Sequence, residues 1–391
     1  MYRRRWYLGF GIAASLLLLG VLLHQPLERG YQTLLVLSDI AAGPSSSPFK
    51  LRTPSPTRQT LVFQVNGRTR TGDLYLPAQG RPRAGMVLLP GIVPQGGREP
   101  RLVAFAGALA RAGFAVLVPD FPAFRQLMVR PGDARIAADA FHYLARQPNL
   151  APAGRAGMGA FSYAVGVAVL ASLQADVRTQ VRFILGVGGY HDIGAVVRFF
   201  TTGYFQHQGQ WFHLRPDPYG QWVFVNSSLP YLHSPVDKQI LQSMVRLRLQ
   251  NPRADLAPLA TQLGPEGRAL YALLSNRDPN QTTALLRALP IPLQAALSGM
   301  SLVDKPLQDL RARLILVHGM DDNLVPYPES IALTRAVPPG QARLYLIHRV
   351  LIHVEFDQAP WTSWRFWRED LPDYWRLFRA VHALLGEQAP A

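Results

Sequence analysis

Gly159-Ala160-Phe161-Ser162-Tyr163-Ala164-Val165-Gly166 is the stretch on which the fold turns. The short apolar run Ala156 to Phe161 reads as a buried strand, and the small, apolar run Tyr163 to Leu173 reads as a helix. A serine at that junction sits on a sharp strand-to-helix turn, and its hydroxyl projects above the edge of the sheet. Small residues are needed two before and two after it, because the strand and helix backbones nearly touch; Ala160 and Ala164 fill those places. Taken alone, the octapeptide also fits a helix start capped by a serine.

Outward from Ser162 the same rhythm holds. Asn66-Gly67 between Leu61 to Val65 and Thr69 to Leu76 is a hairpin signal. Gly85 to Pro90 and Phe114 to Val118 read as buried strands, Arg101 to Ala112 and Ala134 to Arg146 as helices, and Val181 to Val187 as a strand. Alternation of this kind predicts right-handed βαβ units and a parallel sheet covered on both faces. The rhythm breaks at Tyr190 and resumes after Lys305. Arg313 to Val317 and Ala342 to Ile347 read as strands, Pro328 to Val337 and Asp373 to Leu385 as helices. A long insertion inside a continuing sheet is a cap, so 190–305 is expected to be a helical cap between core halves 60–189 and 306–391.

Two further pieces carry chemistry. His318-Gly319-Met320-Asp321-Asp322-Asn323-Leu324-Val325-Pro326 directly follows an apolar strand, and a carboxylate on that turn reaches an imidazole serving the nucleophile. Asp322 fits the acid position better than Asp321; Asp192 and Asp120, each following its own strand, compete. Beyond the last strand come His348 and His353. His353 has more room to swing over the sheet and is favoured as the base, with His348 the alternative. The chain order Ser, Asp, His and the placement of each at a strand end agree with a nucleophile-elbow architecture.

On Phe161-Ser162-Tyr163, on His318 to Pro326 and on Ala106 to Pro119, the sequence resembles the α/β-hydrolase superfamily, specifically its dienelactone-hydrolase-like and prolyl-oligopeptidase-like branches, over roughly Thr60 to Leu385. It departs from the family pattern at Ala160, at Ala164 and at Pro90-Gly91, where His-Gly is usual. The resemblance implies an α/β-hydrolase fold, with a mostly parallel central sheet, helices on both faces and a helical cap. It also implies a Ser162, Asp322, His353 triad, and an oxyanion hole whose second donor, beside the backbone N–H of Tyr163, is that of Ile92. The reaction expected is hydrolysis of a carboxylic ester through an acyl-enzyme, on a small or lipid-like substrate, with no cofactor. A non-catalytic scaffold and an acyltransferase with the same triad are the competing readings. His191, His207 and His213 do not form a metal-ligand spacing with carboxylates, and no P-loop or dinucleotide fingerprint is present.

Composition bounds the rest. The 391 residues include no cysteine, which excludes disulfides and thiolate chemistry. Hydrophobic residues at 48% suffice for a core. The net charge is +15, and Lys50, Lys238 and Lys305 are the only lysines among 40 basic residues. The arginines are scattered, so nucleic-acid binding is not expected. Arg3, Arg4 and Arg5 precede the uncharged run Trp6 to Leu23, which as helix reaches ~27 Å, near the hydrocarbon thickness. No small-residue cleavage site follows it. Residues 1–30 are therefore expected to be a basic flank and an uncleaved transmembrane anchor, and 31–59 a linker. The catalytic domain is expected on the non-cytoplasmic side, periplasmic or extracellular.

Overall fold

The computed structural model describes residues 27–352, 355–356 and 363–389. Among the described residues are fifteen α-helices and twelve strands, of which two short ones, Leu351–Ile352 and Glu355–Phe356, pair only with each other. The other strands are β1 (Thr57–Val65), β2 (Arg68–Leu76), β3 (Ala84–Leu88), β4 (Phe114–Pro119), β5 (Ala156–Phe161), β6 (Phe183–Val187), β7 (Tyr204–His207), β8 (Gln210–His213), β9 (Arg313–Gly319) and β10 (Ala342–Ile347). The helices of the core are α1 (27–42), α2 (Pro48–Arg52), α3 (Pro100–Arg111), α4 (Pro122–Arg125), α5 (Asp133–Ala145) and α6 (Tyr163–Ser172). Those between β6 and β9 are α7 (Ile193–Thr202), α8 (Tyr219–Ser228), α9 (Pro235–Gln250), α10 (Ala257–Ala260), α11 (Pro265–Ser275), α12 (Thr282–Arg287) and α13 (Ile291–Met300). Two more, α14 (Pro328–Ala336) and α15 (Leu371–Gly386), close the chain.

Eight strands form one sheet in the order β1-β2-β4-β3-β5-β6-β9-β10. The β1–β2 and β2–β4 pairs are antiparallel, and every other pair is parallel. Register at the first hairpin follows from Asn66 (φ 50°) and Gly67 (φ 74°), whose left-handed backbones match a tight turn to strand twist. The central strands β3 and β4 are buried at every position, as expected for a sheet covered on both faces. This is the mostly parallel architecture that the alternation of elements implied.

Two apolar layers cover the sheet. One joins α5, α6 and α14 to the insertion, with Phe141, Val165, Phe200 and Leu297 among its members. The other joins α1, α3 and α15, with Val36, Leu109, Phe114 and Leu384 among its members. Burying a phenylalanine such as Phe114 contributes about 1.5–3 kcal/mol. Between β6 and β9 the insertion is helical except for the β7–β8 hairpin, which sequence periodicity did not separate from its helices.

Residues 31–59, expected as a linker, are folded against the core. Thr33, Val36 and Asp39 are buried at helical spacing on α1. Gly43 (φ 54°) ends that helix, its N–H donating to the Asp39 carbonyl at 3.1 Å. The buried Asp39 carboxylate accepts from the Ser47 hydroxyl at 2.5 Å and lies 3.1 Å from Lys50 and 3.7 Å from Arg111 of α3. The physical reason for the departure is this charge cluster together with Phe49, which α2 buries. The expected anchor, Trp6 to Leu23, lies outside the described residues. Among the described residues no helix is long and apolar enough to cross a membrane.

Candidate active site

Ser162 closes β5 and opens α6 with φ 54° and ψ −129°. A non-glycine residue rarely adopts that backbone, and strain of this kind costs about 1–3 kcal/mol. It is held from both sides. The Ser162 N–H donates to the Val187 carbonyl of β6 at 2.7 Å, and its carbonyl accepts from the Val165 N–H at 3.0 Å. The small neighbours allow the close approach. Ala160 and Ala164 are buried, and a Cβ on Gly166 would meet the Tyr190 hydroxyl at 2.4 Å. Tyr190 stacks on Tyr163 and donates its hydroxyl to the Met300 carbonyl at 2.8 Å, tying the elbow to α13. Burial pushes the phenols of Tyr163 and Tyr190 well up from their ordinary range, so both stay neutral.

Ser162 is half-buried and borders a cavity of about 1060 Å³. Ile92 and Tyr163 line the same cavity. Tyr163 is the first residue of α6, so its N–H has no intrahelical partner. The Ile92 turn is held by its backbone. Leu89 N–H donates to the Gly159 carbonyl at 2.8 Å, and Val93 N–H donates to the Gly91 carbonyl at 3.1 Å. A cap residue also grips it: the Tyr219 hydroxyl of α8 donates to the Ile92 carbonyl at 2.6 Å. Burial pushes the Tyr219 phenol up to about 12, which keeps that donor protonated at neutral pH. Sequence reading missed Tyr219, because contact across 127 positions leaves no local signal.

Asp322 is buried on the turn after β9. Its Oδ1 accepts from the Leu324 N–H at 2.8 Å and the Val325 N–H at 2.9 Å. Asn323, Leu324 and Val325 themselves line the cavity, so this turn borders the space beside Ser162. His318, fully buried on β9, braces the turn. Its Nε2 lies 2.9 Å from the Val325 carbonyl and 3.5 Å from Asp322 Oδ2, and its Nδ1 lies 2.7 Å from Ser330 Oγ. A carbonyl only accepts, so Nε2 carries a proton.

His353 lies outside the described residues. The strand pair nearest it is Leu351–Ile352 with Glu355–Phe356, antiparallel, and Leu351 lines the cavity. His348 is exposed on the turn after β10. That turn is clamped by Asp373 of α15, whose Oδ2 accepts from the N–H groups of His348, Arg349 and Val350 at 2.9, 2.8 and 3.4 Å. Arg376 donates to its other oxygen at 2.6 Å. Nothing in the sequence around Asp373 marks that clamp.

The competing acids have other work. Asp192 caps α7 through the Gly194 N–H at 2.8 Å, and Asp120 pairs with Arg125 at 3.2 Å near the surface. His207 and His213 belong to the cap hairpin, in ring contact with Tyr327 and Tyr204. Among the described residues no group of three or more His, Cys, Asp or Glu is placed to hold a metal ion. Of the late aromatics, Trp364 and Trp367 are exposed, and Trp361 lies outside the described residues.

No family model matches the sequence, and no curated protein does. Solved structures do match. A putative hydrolase from Legionella pneumophila superposes with a TM-score of 0.53 at 12% identity, over 85% of this chain and 89% of that one. The esterase domain of a Rhodothermus marinus protein gives 0.41 at 13% identity, over 84% and 97%. The acylaminoacyl peptidase of Pyrococcus horikoshii gives 0.42 at 10% identity, over 85% and 41%. The fold is therefore the α/β-hydrolase fold: a mostly parallel eight-stranded sheet with helices on both faces.

Proposed function

We propose that this protein is a serine hydrolase of carboxylic esters, with Ser162 as nucleophile, His353 as base and Asp322 as the acid that orients it. The observation that carries the reading is the strained Ser162 elbow facing a largely apolar cavity of about 1060 Å³. A backbone held in a sparsely populated conformation by its surroundings is typical of a functional site.

In the proposed reaction His353 takes the Ser162 proton as the serine oxygen attacks the ester carbonyl. The tetrahedral oxyanion is stabilised by the N–H groups of Ile92 and Tyr163; one such donor contributes about 3 kcal/mol to lowering the barrier. The imidazolium then protonates the departing alcohol, which leaves an acyl group on Ser162. Water, deprotonated by the same imidazole, attacks the acyl carbon and releases the acid. Asp322 stabilises the imidazolium, and the Leu324 and Val325 N–H groups fix its carboxylate for that task. An anchor at Trp6 to Leu23 would hold this domain at a membrane on its non-cytoplasmic side, where lipid-like esters are accessible.

The test is labelling of the full chain with a fluorophosphonate probe. Wild type is expected to label, Ser162→Ala and His353→Ala to lose labelling, and His348→Ala to keep it. A folded wild type that never labels sinks the serine-hydrolase reading. Loss of labelling in His348→Ala alone reassigns the base.

A further inference from the structure

The cavity beside Ser162 reaches both faces of the sheet. Ser162 stands at the carboxyl edge of β5, where the two apolar layers meet. Phe161 packs with the α1, α3 and α15 layer, and Tyr163 belongs to the layer that includes the cap. The lining divides the same way. Beneath the cap the walls are Val197, Phe200, Val223 and Leu297. On the opposite face they come from α1, α3 and α15: Leu37, Ile40, Phe105, Leu377, Ala380 and Leu384. The cavity volume of about 1060 Å³ lies just above the ~300–1,000 Å³ of ordinary ligand pockets.

The charged lining residues are Glu99, Arg101 and Asp217. Glu99 accepts from the Leu102 N–H at 2.8 Å and pairs with Arg101 at 3.0 Å, and Asp217 accepts from the Tyr219 N–H at 2.8 Å. Apart from the Glu99–Arg101 pair at the start of α3, the arm walled by α1 is bounded by alkyl and aromatic side chains. Each methylene placed against such walls tightens binding roughly fourfold.

The geometry points to a substrate with a long aliphatic chain, seated between α1, α3 and α15, its other half lying beneath the cap. This rests on the ester-hydrolase reading of Ser162. The segment 27–42 thus serves the site as a specificity wall. An apolar arm takes the aliphatic half of an ester from either side of the carbonyl, so the acyl and alcohol sources are separated by experiment.

The measurement compares kcat/KM of the full chain on p-nitrophenyl acetate, octanoate and palmitate, and on acetate esters of ethanol and hexadecanol. Wild type is expected to prefer the long chain on one side at least tenfold; the side shows which half occupies the arm. Ala380→Phe and Ala42→Phe, which fill the arm from α15 and α1, should lower the long-to-short ratio at least tenfold. Leu37→Ala enlarges the arm without crowding it and should shift the optimum to longer chains, so the result does not depend on an overpacked variant folding. Labelling by fluorophosphonate with the same chain-length profile in all three variants overturns the aliphatic arm and leaves the serine-hydrolase reading standing. A wild type that neither labels nor hydrolyses overturns both.

Discussion

Ser162 keeps its positive φ because Val187 and Val165 hold its backbone on both sides while Ala160, Ala164 and Gly166 let the helix come close. Asp322 is fixed with similar economy. One carboxylate oxygen accepts two backbone N–H groups, and the other faces the braced His318. An asparagine there retains an acceptor for Leu324 and Val325 but loses the negative charge. Asp322→Asn is therefore expected to lower kcat about ten-thousandfold while its melting temperature stays near wild type. Asp322→Ala leaves both N–H groups without that acceptor and should also lose about 1–3 kcal/mol of stability. Steady-state kinetics beside thermal unfolding separates the two effects; an Asp322→Asn enzyme of full activity would remove Asp322 from the mechanism. At this scale the sequence was informative. Ser162 and Asp322 stand on strand-end turns as the motif spacing implied, whereas Tyr219 and Asp373 act through contacts between distant segments.

At the scale of elements, α14 meets the start of α7 through Glu329. Its carboxylate accepts from the His191 N–H at 3.1 Å and the Asp192 N–H at 2.7 Å. Burial outweighs those two bonds and pushes its pKa up to about 7 from an ordinary 4.5. Between those values the native state binds more protons at this site than the unfolded chain does. Its contribution to stability therefore falls as pH rises from 4.5 to 7, and the full penalty persists above 7. Asp133, likewise raised to about 7 by burial, acts in the same direction. Glu329→Gln removes its share of the penalty. Relative to wild type, its melting temperature should be higher at pH 8, and the difference should vanish near pH 4.5. A constant difference across that range would mean that Glu329 is already ionised at low pH in the folded protein. The hairpin at Asn66-Gly67 was legible because its turn chemistry is local. The β7–β8 hairpin was not, since four-residue strands among aromatics carry too little periodicity to stand apart from helix.

For the molecule as a whole, α1 is the element that changes the functional reading. It packs with α3 and α15, supplies part of the cavity wall and is tied down at Asp39. Removing that carboxylate leaves Lys50 and Arg111 without it in a partly buried cluster. Asp39→Ala is expected to cost about 3 kcal/mol, visible as a lower denaturation midpoint with an unchanged m-value. Stability unaffected by that change would show that α1 is not secured by its charge cluster. Leu34 of α1 and Trp375 of α15 are exposed, as are Trp364 and Trp367 on the helical stretch that leads into α15.

By itself the sequence determined the alternating core and its mostly parallel sheet, because strand burial and turn residues are local properties. Tertiary structure decided that 27–42 packs as a helix of the core, that α8 grips the Ile92 turn and that the cavity opens onto both faces of the sheet. Those outcomes depend on which surfaces meet across many intervening residues. Hydrophobic burial rewards such meetings without regard to sequence separation, so no local pattern records them.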